Sequence, residues 1–157
     1  MSGNELSHIY RYRPVDESLS ISGQPTVKQL ALIAGAGFTT LINLALHDDP
    51  RYSLPDEAGV ARDLGLNYVH IPVYFGAPGE RDLLCFCDAM DTHAEERVWV
   101  HCAANLRVVT FLGLYRVIRL EWERSRAFEL MESLWQPDDV WADFIDAMLA
   151  KHAGTAQ

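Results

Sequence analysis

The chain has 157 residues, of which 13 are lysine or arginine and 22 are aspartate or glutamate, so the formal net charge is −9. This acidic balance argues against nucleic acid as a partner and against docking on an anionic membrane, since both interactions need a basic surface. With 49% hydrophobic and 22% charged residues, the sequence is typical of a folded globular chain and not of a disordered or membrane-embedded one.

The cysteine count indicates a reducing compartment. The three cysteines, Cys85, Cys87 and Cys102, are an odd number and too few for a disulfide framework. The opening residues contain no apolar segment of signal-peptide length, and no segment approaches the ~20 apolar residues that span a bilayer. We therefore expect a cytoplasmic protein.

Strand and helix patterns alternate through the first half of the chain. Residues 1–17 are polar and aromatic by turns, which predicts an irregular arm. The elements predicted next are a strand at 18–22, a helix between Pro25 and Gly35, a strand at 38–44, a helix between Ser53 and Gly65, and a strand at 66–73. Ser53 is the expected N-cap of the second helix, with Asp56 and Glu57 in its first turn.

The second half continues the alternation. The elements predicted here are a helix at about 80–94, a strand at 98–101, a helix from Arg107 that is apolar almost all round, and two amphipathic helices at about 123–134 and 138–151. These patterns indicate one α/β domain over residues 1–157, in which helices flank a mainly parallel sheet of four to five strands.

Residues 98–107 place a cysteine between a buried strand and a buried helix. Backbone N–H groups at a helix N-terminus are unpaired and bind anions, and the same dipole favours the thiolate form of Cys102. Asn105 tolerates the left-handed backbone of a tight loop, and Arg107 offers a planar set of donors to an oxyanion. The pattern predicts an anion site with a cysteine nucleophile. The alternative is that Cys102 is a small buried residue at a strand end.

This segment resembles the catalytic loop of the cysteine-dependent protein tyrosine and dual-specificity phosphatases. In that family a His-Cys pair is followed by five residues that include a glycine, and then by Arg and Ser or Thr. His101, Cys102 and Arg107 match three parts of the pattern, and Asn105 stands at the glycine position. The resemblance extends more loosely to three other segments, residues 21–25, 41–44 and 68–73.

The resemblance implies a phosphotyrosine phosphatase-like fold and hydrolysis of a phosphate monoester, with no metal or organic cofactor. Cys102 would attack phosphorus to give a cysteinyl-phosphate, Arg107 would hold the phosphate oxygens, and His101 would bias the ionisation and orientation of the cysteine from behind. The residues implied in substrate binding are Ala103, Ala104, Asn105, Leu106 and Arg107.

The sequence departs from the family pattern at three positions. Only four residues separate Cys102 from Arg107, where the family has five. Val108 stands where the family has a Ser or Thr that assists the leaving sulfur, and Thr110 one turn later is a weak substitute. Phe75 occupies the position, two residues after Ile-Pro-Val, that often carries the general-acid Asp.

Four other carboxylates are candidates for the general acid. They are Asp82, Glu80, Asp48 and Asp49. Asp82 is the first choice, although a plain helix N-terminal position also explains it. Aspartates such as Asp48 and Asp49 are more often solvated loop residues than catalytic acids.

The four-residue spacing resembles a second family, the rhodanese-like sulfurtransferases, in which the loop cradles a cysteine persulfide. Sulfur transfer through Cys102 is therefore the alternative activity, and a catalytically inactive phosphate-binding module is a third reading. Because the net charge is negative and the expected anion site is confined to one loop and Arg107, we expect a small anionic or phosphorylated substrate. Cys85 and Cys87 lack further ligands for a metal site, so we expect them to pack in the core.

Overall fold

The computed structural model describes residues 5–46 and 54–153, which form five strands and seven helices. The strands are β1 (Arg13–Asp16), β2 (Leu19–Ser22), β3 (Thr40–Asn43), β4 (Asn67–His70) and β5 (Val98–His101). The helices are α1 (Val27–Gly35), α2 (Glu57–Asp63), α3 (Glu80–Thr92), α4 (Leu106–Ile118), α5 (Arg124–Ala127), α6 (Glu129–Leu134) and α7 (Asp139–His152).

The sheet has the strand order β1-β2-β5-β3-β4. The four strands from β2 to β4 are parallel, and β1 alone pairs antiparallel, with β2. The predicted α/β fold with a mainly parallel sheet is confirmed. β5 is the central strand and all four of its residues are buried. Ligands of open parallel sheets bind at the carboxyl ends of the strands, and Cys102 follows that end of β5.

Side chains alternate between the two faces of β5, and each face has its own core. Val98 and Val100 face the larger cluster, which contains the apolar residues of α3, α4 and α7. Trp99 faces the smaller cluster, formed with α1, α2 and the segment before β1. The helix predicted to be apolar almost all round is confirmed as α4, which contacts α5, α6 and α7.

The prediction of an irregular arm over residues 1–17 is wrong for part of that segment. Residues 13–16 form β1, which pairs antiparallel with β2. This pairing satisfies the backbone N–H and C=O groups of β2 that face away from β5. Upstream, Leu6 and Ile9 are buried in the smaller core cluster.

Two element boundaries also differ from expectation. The N-cap of α2 is Asp56, whose carboxylate accepts from the Gly59 N–H, whereas the expected cap, Ser53, lies outside the described residues. The helix expected at 123–134 is divided into α5 and α6, and the break falls at Phe128. In the described part of the chain, no helix is long and apolar enough to cross a membrane.

Candidate active site

The candidate site is the loop between β5 and α4. Cys102 follows β5 directly and is 1% exposed. Asn105 is the N-cap of α4 and has a φ of 66°, the left-handed conformation that was expected of it. The predicted junction of buried strand, cysteine and buried helix is therefore present.

Three consecutive carbonyl groups of the loop each accept a hydrogen bond from a different part of the protein. The acceptor and donor pairs are Cys102 O with His101 Nδ1 (3.1 Å), Ala103 O with the Gln24 N–H (3.0 Å), and Ala104 O with Arg11 Nη1 (3.3 Å). Within each trans peptide the N–H points opposite to the carbonyl, so the next residue's N–H points away from these donors.

The three N–H groups that follow are therefore available to a ligand. Among the described residues, none accepts a hydrogen bond from the backbone N–H of Ala103, Ala104 or Asn105. Consecutive free N–H groups before a helix N-terminus form an anion-binding cradle.

The segment before β1 and the turn after β2 hold this loop from outside. Asn105 Nδ2 donates to Arg11 O at 2.9 Å. A Cβ on Gly23 would lie 2.6 Å from Ala103 O and from the Tyr10 ring, so only glycine allows this close approach. The two segments thus fix the orientation of the loop peptides.

Arg107 is buried, with 8% of its surface exposed. Its Nη1 donates to Val73 O at 2.7 Å, and its guanidinium lies 5.9 Å from the centre of the Phe75 ring. In residues 5–46 and 54–153 no carboxylate forms an ion pair with Arg107. Within the described part of the chain, Val73 O is the acceptor for one Arg107 donor, and no carboxylate takes the others.

Behind the loop, His101 forms a buried pair with Glu57. His101 Nε2 lies 2.7 Å from Glu57 Oε2, and both side chains are fully buried. The other carboxylate oxygen, Oε1, accepts from Gln24 Nε2 at 2.8 Å. The Tyr68 hydroxyl also lowers the pKa of this carboxylate, and its own oxygen accepts from Asn43 Nδ2 at 3.0 Å.

These partners keep Glu57 ionised despite its burial. Burial raises the pKa of Glu57, but His101, Gln24 and Tyr68 outweigh it and leave the pKa below its ordinary value. Burial and the neighbouring carboxylate together raise the pKa of Tyr68. The sequence placed Glu57 only in the first turn of a helix, so its role as the partner of His101 was missed. Its contact spans 44 positions of sequence and left no local signal.

A cavity on another part of the surface is an alternative location for the site. A cavity of about 1010 Å³ lies between the ends of α4 and α7 and is lined by none of residues 101–107. The loop is the better candidate because it combines a cysteine, an arginine and free N–H groups, which that cavity does not.

A comparison with protein families identifies the chain. Residues 11–117 match the family described as beta-lactamase hydrolase-like protein, phosphatase-like domain, and this match covers more than half of the chain. The chain belongs to this family. The matched range includes the whole loop and Glu57.

The phosphatase-like domain also has curated relatives. It is 34% identical over 106 residues to the beta-lactamase hydrolase-like protein of Xylella fastidiosa (strain Temecula1), a match that covers 66% of this chain and 24% of the relative. The match to the protein of the same name from Agrobacterium fabrum is 30% over 114 residues, and covers 71% of this chain and 26% of that protein. The chain thus spans about a quarter of the length of these relatives.

Solved structures share the fold of the phosphatase-like domain. A DUF442 protein of Shewanella putrefaciens CN-32 is 28% identical, with a TM-score of 0.84 over 96% of this chain and 99% of that one. Tk-PTP in its active form is 20% identical, with a TM-score of 0.71 over 90% and 95% of the two chains. The phosphotyrosine phosphatase-like fold is confirmed.

Among the described residues, no candidate general acid forms a hydrogen bond or ion pair with the loop. Asp82 lies in the first turn of α3, where burial raises its pKa and a hydrogen bond from the Gly79 backbone partly offsets this. Glu80 forms ion pairs with Lys151 and His152 of α7, which lower its pKa. Asp48 and Asp49 lie outside the described residues.

Phe75 is held firmly at the position where an acid was expected. Its ring lies 5.5 Å from that of Trp135 and 5.8 Å from that of Trp141, between ring centres. Its carbonyl accepts from Trp141 Nε1 at 2.6 Å. The segment after Val73 therefore has a fixed course beside Arg107 without supplying a proton.

Thr110 does not replace the missing hydroxyl after Arg107. Its Oγ1 donates to Leu106 O at 2.9 Å and accepts from Trp135 Nε1 at 3.2 Å. The hydroxyl hydrogen is committed to the helix backbone, so it is unavailable to the Cys102 sulfur.

The two remaining cysteines behave differently from each other. Cys87 is buried in the larger core cluster, and burial raises its pKa to about 11, whereas Cys85 is exposed. The expected core packing is confirmed for Cys87 and wrong for Cys85, because residues i and i+2 of a helix face different directions. No group of three or more potential metal ligands occurs among the described residues.

Proposed function

We propose that this phosphatase-like domain hydrolyses a small phosphate monoester with Cys102 as the nucleophile. The supporting observation is the set of three loop carbonyls turned toward protein donors, which leaves the N–H groups of Ala103, Ala104 and Asn105 free for phosphate oxygens. Arg107 adds a buried guanidinium to these donors. Such preorganised donors stabilise the charge of the transition state.

The reaction has two steps. The Cys102 thiolate attacks phosphorus, an S–P bond forms, the ester P–O bond breaks, and the leaving oxygen takes a proton. Water then attacks the cysteinyl-phosphate, the S–P bond breaks, and phosphate leaves while Cys102 returns to the thiolate.

Asp82 is the proposed source of the proton for the leaving group. Its pKa is raised by burial, which keeps part of the population protonated closer to neutral pH. It follows the segment that begins at Val73, the residue whose carbonyl binds Arg107. Asp82→Asn should lower turnover of an alkyl phosphate more than that of an aryl phosphate, since a phenolate leaves without help.

Sulfur transfer is the second candidate, and the four-residue spacing between Cys102 and Arg107 favours it. In this reaction the Cys102 thiolate attacks the outer sulfur of thiosulfate, an S–S bond forms, and sulfite leaves. Cyanide then removes the outer sulfur as thiocyanate and regenerates the thiolate.

One preparation tests both activities. We expect release of phosphate from para-nitrophenyl phosphate, loss of this activity in Cys102→Ser, and retention of phosphate binding by the same variant. Cys85→Ser is the matched control, because Cys85 is exposed on α3 and should leave turnover unchanged. Full activity in Cys102→Ser contradicts the mechanism.

The other outcomes of that assay are also informative. Thiocyanate formation from thiosulfate without phosphatase activity would select the sulfurtransferase. Phosphate binding without either activity would indicate the inactive binding module. We place the domain in the cytoplasm, where the three unpaired cysteines stay reduced.

A further inference from the structure

Glu57 has no part in the chemistry proposed above, although its partner His101 holds the Cys102 carbonyl. Two fully buried titratable side chains lie directly behind the nucleophile, with a separation of 2.7 Å between His101 Nε2 and Glu57 Oε2. Burying such a pair is costly, and its packing value alone could be supplied by apolar residues of the same volume.

The hydrogen-bond geometry defines the proton count of the pair. A carbonyl oxygen only accepts, so the contact between His101 Nδ1 and Cys102 O requires a hydrogen on Nδ1. One more proton lies between Nε2 and the carboxylate. Because Gln24 donates to Glu57 and Tyr68 also lowers its pKa, the carboxylate form is favoured, and the second proton belongs to His101.

We propose that Glu57 is a positioning residue that holds His101 as an imidazolium, so that a positive charge and a fixed Nδ1–H donor stand behind Cys102. This inference rests on the proposed function and assigns to Glu57 a role within that site. The Nδ1–H turns the Cys102 carbonyl backward, which directs the Ala103 N–H into the cradle. The charge favours the thiolate over the thiol.

The groups around Glu57 support a positive charge on His101, on the side of the pair that faces Cys102. Among the described residues, the titratable groups that act on Glu57 are His101 of β5 and Tyr68 of β4, and Gln24 after β2 is neutral. The imidazolium touches the Cys102 backbone, whereas the Glu57 carboxylate lies on the far side of the ring. The positive end of the pair is therefore nearer to the nucleophile.

Glu57→Gln tests the charge with little change of shape. We expect the Cys102 thiolate, followed by its ultraviolet absorbance against Cys102→Ser, to titrate about one pH unit higher in Glu57→Gln. The acid limb of the kcat/KM profile should move to higher pH by the same amount. The value of kcat/KM then falls about tenfold at pH values below the limb and changes little at high pH. An unchanged thiolate titration in folded Glu57→Gln overturns the proposal.

Glu96→Gln is the matched control. Glu96 forms a second Glu–His pair, in which its Oε2 lies 2.8 Å from His93 Nδ1, but it contacts Thr39 and Thr40 at the opposite end of the strands. Its loss should affect stability and leave the Cys102 titration unchanged. An equal shift in both variants would show a nonspecific effect and contradict the role of Glu57.

A measurement on the unsubstituted protein avoids dependence on folding of the variant. Nitrogen NMR of His101 at neutral pH should show hydrogens on both ring nitrogens, and a ring with one hydrogen overturns the proposal. The absorbance and NMR results do not require turnover. If they are as expected but no phosphatase activity is found, the role of Glu57 stands and the proposed reaction fails.

Discussion

At the residue scale, the site depends on backbone orientation more than on the number of charged side chains. The Cys102, Ala103 and Ala104 carbonyls are each held by a donor from another segment. Asn105 completes the loop with a left-handed backbone that most residues avoid. The N–H groups are therefore in place before a substrate arrives, so binding requires little reorganisation.

Two substitutions at Asn105 separate its conformation from its hydrogen bond. Asn105→Gly keeps the left-handed backbone and loses the bond to Arg11 O, at a cost of about 1 kcal/mol. Asn105→Ala adds backbone strain of a further ~1–2 kcal/mol. Asn105 Oδ1 has no hydrogen-bond partner among the described residues, so we expect no cost from its loss.

We expect phosphate affinity and the free energy of unfolding to decrease in the order wild type, Gly, Ala. Calorimetric titration with inorganic phosphate and urea unfolding measure the two quantities. Equal stability and affinity in the Gly and Ala variants would contradict a requirement for the left-handed backbone.

The sequence predicts those parts of the site whose residues are close together along the chain, and it misses those that are far apart. His101, Cys102, Asn105 and Arg107 lie within one short segment, so their spacing predicted the loop and the strand and helix around it. Glu57 and Arg11 reach the loop only through folding, and Arg11 lies 93 positions from its acceptor Ala104. A first-turn glutamate and an arginine in a presumed irregular arm carry no pattern that indicates such contacts.

At the element scale, α4 connects the cradle to the rest of the core. Its second residue is Arg107, and its later turns pack against α5, α6 and α7. Gly113 allows Phe128 to approach, and a Cβ at that position would clash with the Phe128 ring. The expected single helix also divides at Phe128, which ends α5 and precedes α6. Amphipathic periodicity predicted helix there but not the break.

Gly113→Ala should destabilise the domain by about 1–3 kcal/mol through overpacking against Phe128. Gly35→Ala is the matched control, since a Cβ at the exposed end of α1 meets nothing within 4 Å. In a helix that change is favourable by up to about 1 kcal/mol. Urea unfolding measures both, and a stability gain in Gly113→Ala would contradict the packing of α4.

At the scale of the whole molecule, the −9 charge is compatible with the proposed anion site. Screening at physiological salt acts over about 8 Å, so charges elsewhere on the surface have little effect within the loop. We expect the local donors and Arg107 to determine binding, and the acidic exterior to favour a small anion over a large acidic partner. Tertiary pairing of the sheet places these donors at the carboxyl end of the central strand.

Trapping the reaction intermediate tests the central claim most directly. Para-nitrophenyl phosphate is mixed with the domain, the reaction is quenched within its first turnover, and the peptides are analysed by mass spectrometry. A phosphoryl group on Cys102, absent from Cys102→Ser and retained at normal level in Cys85→Ser, is the result expected of cysteinyl-phosphate catalysis. Phosphate release while Cys102 stays unmodified would contradict this claim. A sulfur adduct on Cys102 with thiosulfate, without a phosphoryl adduct from the phosphate ester, would contradict it as well.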